Sequence, residues 1–237
     1  MRDLNETQQL KIFCLILSII SFFYFNVILF LSAVIFGWIL SGFVSVLYHR
    51  KITHKVFEYK NKFTEYICYI IMILTGQGTP LGWAAVHRIH HAKTDTLEDP
   101  QSPHIIGRIK TFTSWYKIKE FNLRIISDIL KDKKLMFLHQ HYNKLFLVYV
   151  LLLLIINPIA CLYFAGVSVL ICAMFVGIVS TFGHEDYAEI DGTMASNMPF
   201  LFLYWGEGSH KTHHLNPRLV NLGKHDFGYP IIKIIAK

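Results

Sequence analysis

The chain has 237 residues, a formal net charge of +7, 53% hydrophobic residues and a mean hydropathy of +0.40. This length suits a single domain over residues 1–237, and the apolar composition excludes an ordinary soluble protein. The four cysteines, Cys14, Cys68, Cys161 and Cys172, lie in or beside apolar runs and form no CxxC pair. Their placement argues against a thiolate metal site and against a disulfide framework.

The first predicted element is an uncharged run from Ile12 to Leu47. As one helix this run would be about 54 Å long, whereas the hydrocarbon core of a bilayer is about 30 Å thick. We therefore predict two membrane spans, over residues 11–24 and 27–48, with a turn near Asn26.

The next apolar stretch, Tyr66–Leu74, is too short to span a bilayer, and a glycine-rich segment follows it. We expect an interfacial or re-entrant segment there. A second long apolar block is interrupted at Asn157-Pro158. Because proline restricts the preceding residue and cannot donate a backbone hydrogen bond, this block is predicted to form spans over residues 145–156 and 159–182.

The basic residues are distributed unevenly around these spans. Two lie before the first pair of spans, 16 lie between the two pairs and five follow the second pair. By the positive-inside tendency, both termini and the large middle segment face the cytoplasm. The predicted fold is an all-α integral membrane protein with about four transmembrane helices in two hairpins and a cytoplasmic helical cap. Its basic face could meet anionic headgroups or a phosphorylated acyl carrier, although topology alone also accounts for the charge.

Nine of the 13 histidines fall into short clusters or follow the end of a predicted span. They are His49 and His54, the HxxHH triplet His87, His90 and His91, the isolated His184, and the HxxHH triplet His210, His213 and His214. On a helix, residues i, i+3 and i+4 lie within about 100° of arc, so each triplet can direct three imidazoles at one point. His49 and His54 would be about 140° apart on an α-helix, which predicts that they serve two different metals or straddle a helix end.

Neutral imidazole is a good ligand for iron, zinc or copper. Nine such ligands exceed the needs of one zinc ion, and two neighbouring metals with open positions fit the number better. No HExxH motif is present, and only Glu207-x-x-His210 has the spacing of a ferritin-like carboxylate site. A site made almost wholly of imidazole remains.

Three stretches of the sequence resemble the histidine boxes of membrane fatty acyl desaturases, most closely those of the delta-9 type. They are YHRKITH at 48–54, WAAVHRIHHAKTDTLEDPQSP at 83–103 and GEGSHKTHH at 206–214. The likeness extends to DILKDKKLMFLHQHY at 128–142 and to DFGYPIIKIIAK at the C-terminal end. The resemblance implies two iron ions (Fe2+/Fe3+), with the nine histidines named above as their ligands.

Some positions depart from the usual pattern of that family. Ser180 stands where the family has an asparagine that reaches one iron through water, and Gln101 replaces a frequent histidine. In the third box Ser209 and Lys211 replace an aromatic residue and an asparagine. These changes leave the nine histidines intact and alter the residues around them. Ser180 is a candidate for such a supporting position.

Other residues are candidates for supporting roles. Asp95, Asp99 and Glu207 can orient histidines through the second ring nitrogen, although helix capping or loop solvation equally explains the two aspartates.

The resemblance places Gln77 and Trp83 where the family bends the acyl chain. It places Gly37 and Ser41 along the far end of an acyl tunnel, and close helix packing equally explains these two small residues.

The function implied by the resemblance is an O2-dependent acyl desaturase that introduces a cis double bond, at the delta-9 position, into a long acyl chain carried by CoA, acyl carrier protein or a lipid. Because the sequence lacks haem, flavin, nicotinamide and iron–sulfur motifs, electrons must come from a partner such as ferredoxin or cytochrome b5 with its reductase. The lipid bilayer is an expected partner and nucleic acid is not. Two alternatives stay open: a hydroxylase or ketolase with the same metal site, and a non-catalytic or haem-binding membrane protein.

Overall fold

The computed structural model describes residues 5–115, 122–184 and 195–237. Within these ranges the regular structure is helical, and the only β-type pairings are isolated bridges between Tyr59 and Ala236 and between His184 and Ala195. The all-α prediction is confirmed for the described part of the chain.

The first helical hairpin turns at Asn26, as predicted. Helix α1 spans Asn5–Phe23 and helix α2 begins at Val27. The Asn26 side chain accepts a hydrogen bond from the backbone N–H of Leu29 at 3.0 Å, which caps one of the unpaired donors at the start of α2.

Helix α2 runs over Val27–Thr53, beyond the predicted end at residue 48. Its last ten residues, Val44–Thr53, are wound as a π-helix. In this winding the N–H of His54 bonds to the carbonyl of His49 at 3.1 Å, five residues earlier. A π-helix therefore places residues i and i+5 one above the other.

The second hairpin turns at Asn157, again as predicted. Helix α8 spans Lys133–Ile156, so it begins well before the predicted residue 145, and helix α9 spans Pro158–Phe182. The Asn157 side chain accepts hydrogen bonds from the N–H groups of Ile159 and Ala160. Proline at the first helical position is compatible with this cap because its missing N–H would have no partner there.

Shorter helices join these hairpins and follow the second one. They are α3 (Lys62–Leu74), α4 (Pro80–Lys93), α5 (Pro103–Ile106), α6 (Arg108–Thr113), α7 (Ser127–Lys131), α10 (His210–Leu215) and α11 (Gly228–Ile235). Helix α3 contains the predicted interfacial stretch and leaves Phe63, Tyr66 and Ile70 exposed.

Among the described residues, three helices, α2, α8 and α9, are long and apolar enough to cross a membrane, and the apolar part of α1, Thr7–Phe23, is shorter. Large apolar side chains at the hairpin turns are mostly exposed, for example Phe23 at 81% and Ile155 at 82%. Such a surface is suited to lipid contact, since exposed apolar area on this scale is unusual for soluble proteins.

Candidate metal centre

Four parts of the fold bring the nine histidines together. His49 lies in the π-helical end of α2 and His54 caps it, whereas His184 lies two residues beyond the end of α9. Helix α4 carries His87, His90 and His91, and helix α10 carries His210, His213 and His214. The side chains converge where the apolar helices end, next to α4 and α10.

The histidines form two neighbouring groups, in each of which one ring nitrogen per residue lies within 4.8 Å of all the others. One group is His49, His54, His87, His91 and His213, and the other is His90, His184, His210 and His214. These are called the five-histidine group and the four-histidine group below. Each HxxHH triplet is divided between the two groups, so the groups are held by the same two helices.

His49 and His54 belong to the same group and lie on either side of a helix end, so the structure agrees with the second of the two expectations and not with two different metals. The expectation of two different metals assumed α-helical winding. The π-helix aligns residues five apart, and His54 also forms its C-terminal cap. The ring centroids of the two histidines are therefore only 5.0 Å apart.

The Nε2 atoms are the ring nitrogens that converge. In the five-histidine group, Nε2 of His213 lies 2.8 Å from that of His49 and 3.0 Å from that of His91. In the four-histidine group, Nε2 of His210 lies 3.1 Å from that of His184 and 3.2 Å from that of His214. Lone pairs on neutral imidazoles repel at such distances unless a proton or a cation lies between them.

Three carboxylates fix the orientation of three of these rings. Glu207, Asp99 and Asp95 each accept a hydrogen bond of 2.8 Å from Nδ1, of His49, His90 and His184 respectively. With the proton on Nδ1, the Nε2 lone pair of each ring faces its group, which is the tautomer that binds a metal. The carboxylates are therefore placed to support ligands in both groups.

Burial favours the neutral form of several of these imidazoles. It lowers the pKa of His91 to about 2, and it holds the pKa of His87, His210 and His213 well below its usual range. Burial opposes ionisation of Glu207, but the electrostatic interaction and hydrogen bond with the His49 ring still lower the pKa of this carboxyl. Neutral rings beside an ionised carboxylate are the protonation states that a cation requires.

The residues present fit a pair of metal ions. Nε2 of His54 is buried without a hydrogen-bond partner, although it lies in the five-histidine group. A shared cation would satisfy this atom and the mutually facing Nε2 atoms of its neighbours. The donor atoms are all imidazole nitrogens, which suit iron, zinc or copper.

Arg88, inside the first HxxHH triplet, has a structural role that the sequence did not predict. Its guanidinium donates to the carbonyls of Ile52 and Thr53 at 2.9 Å each, directly before His54, and forms a two-point ion pair with Asp128. Arg88 thus connects α4 and α7 to the end of the π-helix. Its position between two candidate ligands was the only signal in the sequence.

A mostly apolar cavity adjoins both histidine groups. It is lined by His49 and His87 of the first group, by His90 and His210 of the second, and by Ser41, Val44, Ser45, Trp83, Gln101, Phe175, Val176, Val179, Ser180, Tyr204, Trp205 and Glu207. Two of the predicted tunnel residues, Ser41 and Trp83, are therefore in its wall.

The other two predicted tunnel residues lie outside that wall. A Cβ atom on Gly37 would lie 2.5 Å from the carbonyl oxygen of Ser168 and 2.8 Å from Cβ of Ile171, both on α9. Close helix packing thus explains Gly37. The side-chain amide of Gln77 donates to the carbonyl of Thr75 at 3.1 Å.

Ser180 and Gln101, two positions that depart from the usual desaturase pattern, contact each other. The Gln101 side-chain amide donates to the Ser180 hydroxyl oxygen at 2.8 Å, and both residues line the cavity. Ser180 and Gln101 therefore form one contact between α9 and the loop after α4.

The fold and the site together define a helical membrane protein with a candidate centre for two metal ions beside an apolar cavity. Residues 25–221 match the fatty acid desaturase family. The chain belongs to this family, which is a family of oxidoreductases.

Curated relatives give the same result. The chain is 29% identical to an sn-1 stearoyl-lipid 9-desaturase of Anabaena variabilis, over 77% of this chain and 70% of the relative. It is 30% identical to an acyl-CoA 5-desaturase of Anemone leveillei, over 82% of this chain and 61% of the relative. It is also 30% identical to delta-9 acyl-lipid desaturase 1 of Arabidopsis thaliana, over 57% of this chain and 43% of the relative. The chain thus spans less than two thirds of the length of the two plant relatives.

Proposed function

We propose that this protein is an O2-dependent fatty acyl desaturase that introduces a cis double bond at the delta-9 position of a long acyl chain. The observation that carries the proposal is the apolar cavity whose wall includes histidines of both groups. An acyl chain in this cavity would present an unactivated methylene to both metals at once. Apolar walls also keep water away from a reactive centre.

In this proposal the nine histidines hold two iron ions, one in each group. When bound, the irons would supply the activation of O2, which takes two hydrogens from the acyl chain and two electrons from the partner and is reduced to two water molecules. Glu207, Asp99 and Asp95 keep the proton of their histidine partners on Nδ1. The Nε2 lone pair of each of these rings is then free to bind the metal. Trp83, whose ring stacks on that of His87 with centroids 4.9 Å apart, and Ser41 both line the cavity and would contact the acyl chain there.

The substrate is a long-chain acyl group linked to a lipid or to CoA, and acyl carrier protein is a third carrier to test. The names of the relatives support the first two carriers, and two of the three names specify carbon 9. O2 is the second substrate, and a ferredoxin or cytochrome b5 with its reductase supplies electrons. We place the metal centre and both chain ends on the cytoplasmic side of the membrane.

Expression in a host that lacks its own delta-9 desaturase tests the proposal. Fatty acids are extracted, and the double-bond position is determined by mass spectrometry of disulfide adducts. The expected product is a cis-9 monounsaturated chain, absent with an empty vector. A hydroxylated or keto product would instead identify a hydroxylase or ketolase, and a Soret band in the purified protein would indicate haem.

A further inference from the structure

A buried ion pair lies next to the candidate metal centre, outside the ligand set. Arg50 directly follows His49 in the π-helix, and its guanidinium forms two hydrogen bonds with the carboxylate of Asp226, of 2.7 and 2.9 Å. Both side chains are only 1% exposed. A fully buried ion pair carries a large desolvation cost, so stability alone is a weak reason for its presence. The geometry that the pair imposes on its neighbours is the better explanation.

Arg50 connects three parts of the chain. Besides Asp226, its guanidinium donates to the carbonyl of Trp205 at 2.5 Å, to the hydroxyl of Ser45 at 3.1 Å and to the carbonyl of Val220 at 3.1 Å. The planar guanidinium can meet such a set of acceptors because its donors have a fixed fork geometry.

Asp226 connects the same point to the C-terminal helix. Its carboxylate accepts hydrogen bonds from the N–H groups of Leu222, Gly228 and Tyr229, at 2.9, 3.0 and 3.1 Å. These bonds hold the start of helix α11, so α11 is fixed relative to the π-helix.

The turn that Arg50 holds leads directly to Glu207. Trp205 has a φ of 57° and Gly206 a φ of 88°, so two consecutive residues adopt left-handed backbone conformations. A side chain on Gly206 would have its Cβ 2.7 Å from the carboxylate carbon of Asp226. A tryptophan adopts this conformation only at a cost, and here its carbonyl is held by the Arg50 guanidinium.

Glu207 is also reached through a side-chain relay. The Ser45 hydroxyl, which accepts from Arg50, donates to the Glu207 carboxylate, and the same carboxylate oxygen accepts from Nδ1 of His49. We propose that the Arg50–Asp226 pair is a positioning pair: it fixes the Trp205–Gly206 turn so that Glu207 orients His49 for metal binding in the five-histidine group. This inference rests on the proposed two-metal centre.

Metal retention in purified protein, measured per chain alongside melting of the metal-free form, tests this role. Asp226→Asn leaves a buried guanidinium partly uncompensated, so it should lower both quantities. The double variant Arg50→Met/Asp226→Asn removes both charges and keeps an amide oxygen that can accept the N–H groups of Gly228 and Tyr229, so it should melt at a higher temperature than Asp226→Asn. Its five-histidine group should nevertheless bind metal about 10- to 100-fold more weakly, the usual effect of losing a supporting hydrogen bond.

The neighbouring ion pair provides the matched control. Lys51 lies on the same π-helix and pairs with Glu58 at 2.9 Å, but Glu58 is 70% exposed. Lys51→Met/Glu58→Gln should retain metal as the wild type does. Gly206→Ala tests the turn with both charges kept, and it should weaken the same group.

Full metal retention in both the Arg50→Met/Asp226→Asn and Gly206→Ala proteins would overturn the positioning role while leaving the proposed centre intact. A wild-type protein that takes up no metal would overturn the proposed centre itself. Metal loss in the Lys51→Met/Glu58→Gln control equal to that in the double variant would show that the effect is not specific to the Arg50–Asp226 pair, and it too would overturn the inference.

Discussion

At the scale of single residues, the candidate centre depends on imidazoles that cannot replace one another. Each histidine offers one nitrogen to its group, and three rings are fixed by a carboxylate. Helices α4 and α10 each carry histidines of both groups, so a shift of either helix would move ligands in both groups.

We therefore expect each of the nine histidines, changed singly to Ala, to abolish product formation while the protein still inserts into membranes. The physical reason is that the apolar helices are untouched when one metal position is lost. Product is measured by fatty-acid profiling, and insertion by resistance of the protein to alkaline extraction. His225, which is exposed and outside both groups, provides the control as His225→Ala. Full activity in two or more of the nine variants would contradict the assignment.

Ser180 gives a second prediction at this scale. Ser180→Asn should keep activity or raise it, because the asparagine oxygen can still accept the Gln101 hydrogen bond and the amide adds a polar group beside the centre. Ser180→Ala, which removes the acceptor, should lower product yield. Yields are compared at equal protein levels. A complete loss in Ser180→Asn protein that folds normally would show that this position does not tolerate an amide.

Sequence reasoning identified the histidines because their spacing is local, whereas their partners depend on tertiary structure. Arg50 and Asp226 are 176 positions apart, and no local pattern connects them. Asp95 and Asp99 lie close to the second box, so their supporting role could be suggested from sequence but not separated from capping.

At the scale of helices, the turns were predictable and the helix ends were not. Asn26 and Asn157 interrupt the apolar runs, and the side chain of each caps the N-terminal end of the helix that follows. Asparagine is a preferred residue at that position, so the sequence shows both turns. Helix α8 begins at Lys133 because helical structure continues into polar sequence, where hydropathy gives no signal. The π-helix was not predicted, since its winding has no signature in the spacing of apolar residues.

The small residues on α2 support a prediction that separates packing from substrate binding. Gly37→Phe should lower the amount of folded protein at every substrate length, because the new side chain would collide with α9; overpacking typically costs about 1–3 kcal/mol or more. Ser41→Phe should instead narrow the cavity and shift products towards shorter chains. Folded protein is measured by size-exclusion chromatography and products by chain-length profiling. A chain-length shift in well-folded Gly37→Phe protein would place the tunnel along Gly37 after all.

At the scale of the whole molecule, basic charge is separated from the hairpin turns. Sixteen of the 23 Lys and Arg residues lie between the two hairpins, and neither turn carries any. The histidine groups form at the helix ends opposite these turns, on the side where the basic segments lie. A single orientation in the membrane would therefore put the centre, the basic segments and the described ends of the chain, near Asn5 and Lys237, on one side.

The positive-inside tendency predicts that this common side is cytoplasmic, and thiol labelling in intact cells can test the orientation. The four native cysteines are buried, and burial together with a raised pKa makes the Cys68 thiol, which lies outside the long spans, a poor nucleophile. Cysteines introduced singly at Tyr24 or Ile156, both exposed at the hairpin turns, should react with a membrane-impermeant maleimide added outside. Cysteines at the exposed positions Lys60 and Lys224 should react only after the cells are permeabilised. The reverse pattern would place the metal centre on the outer face, and it would exclude a cytoplasmic electron donor.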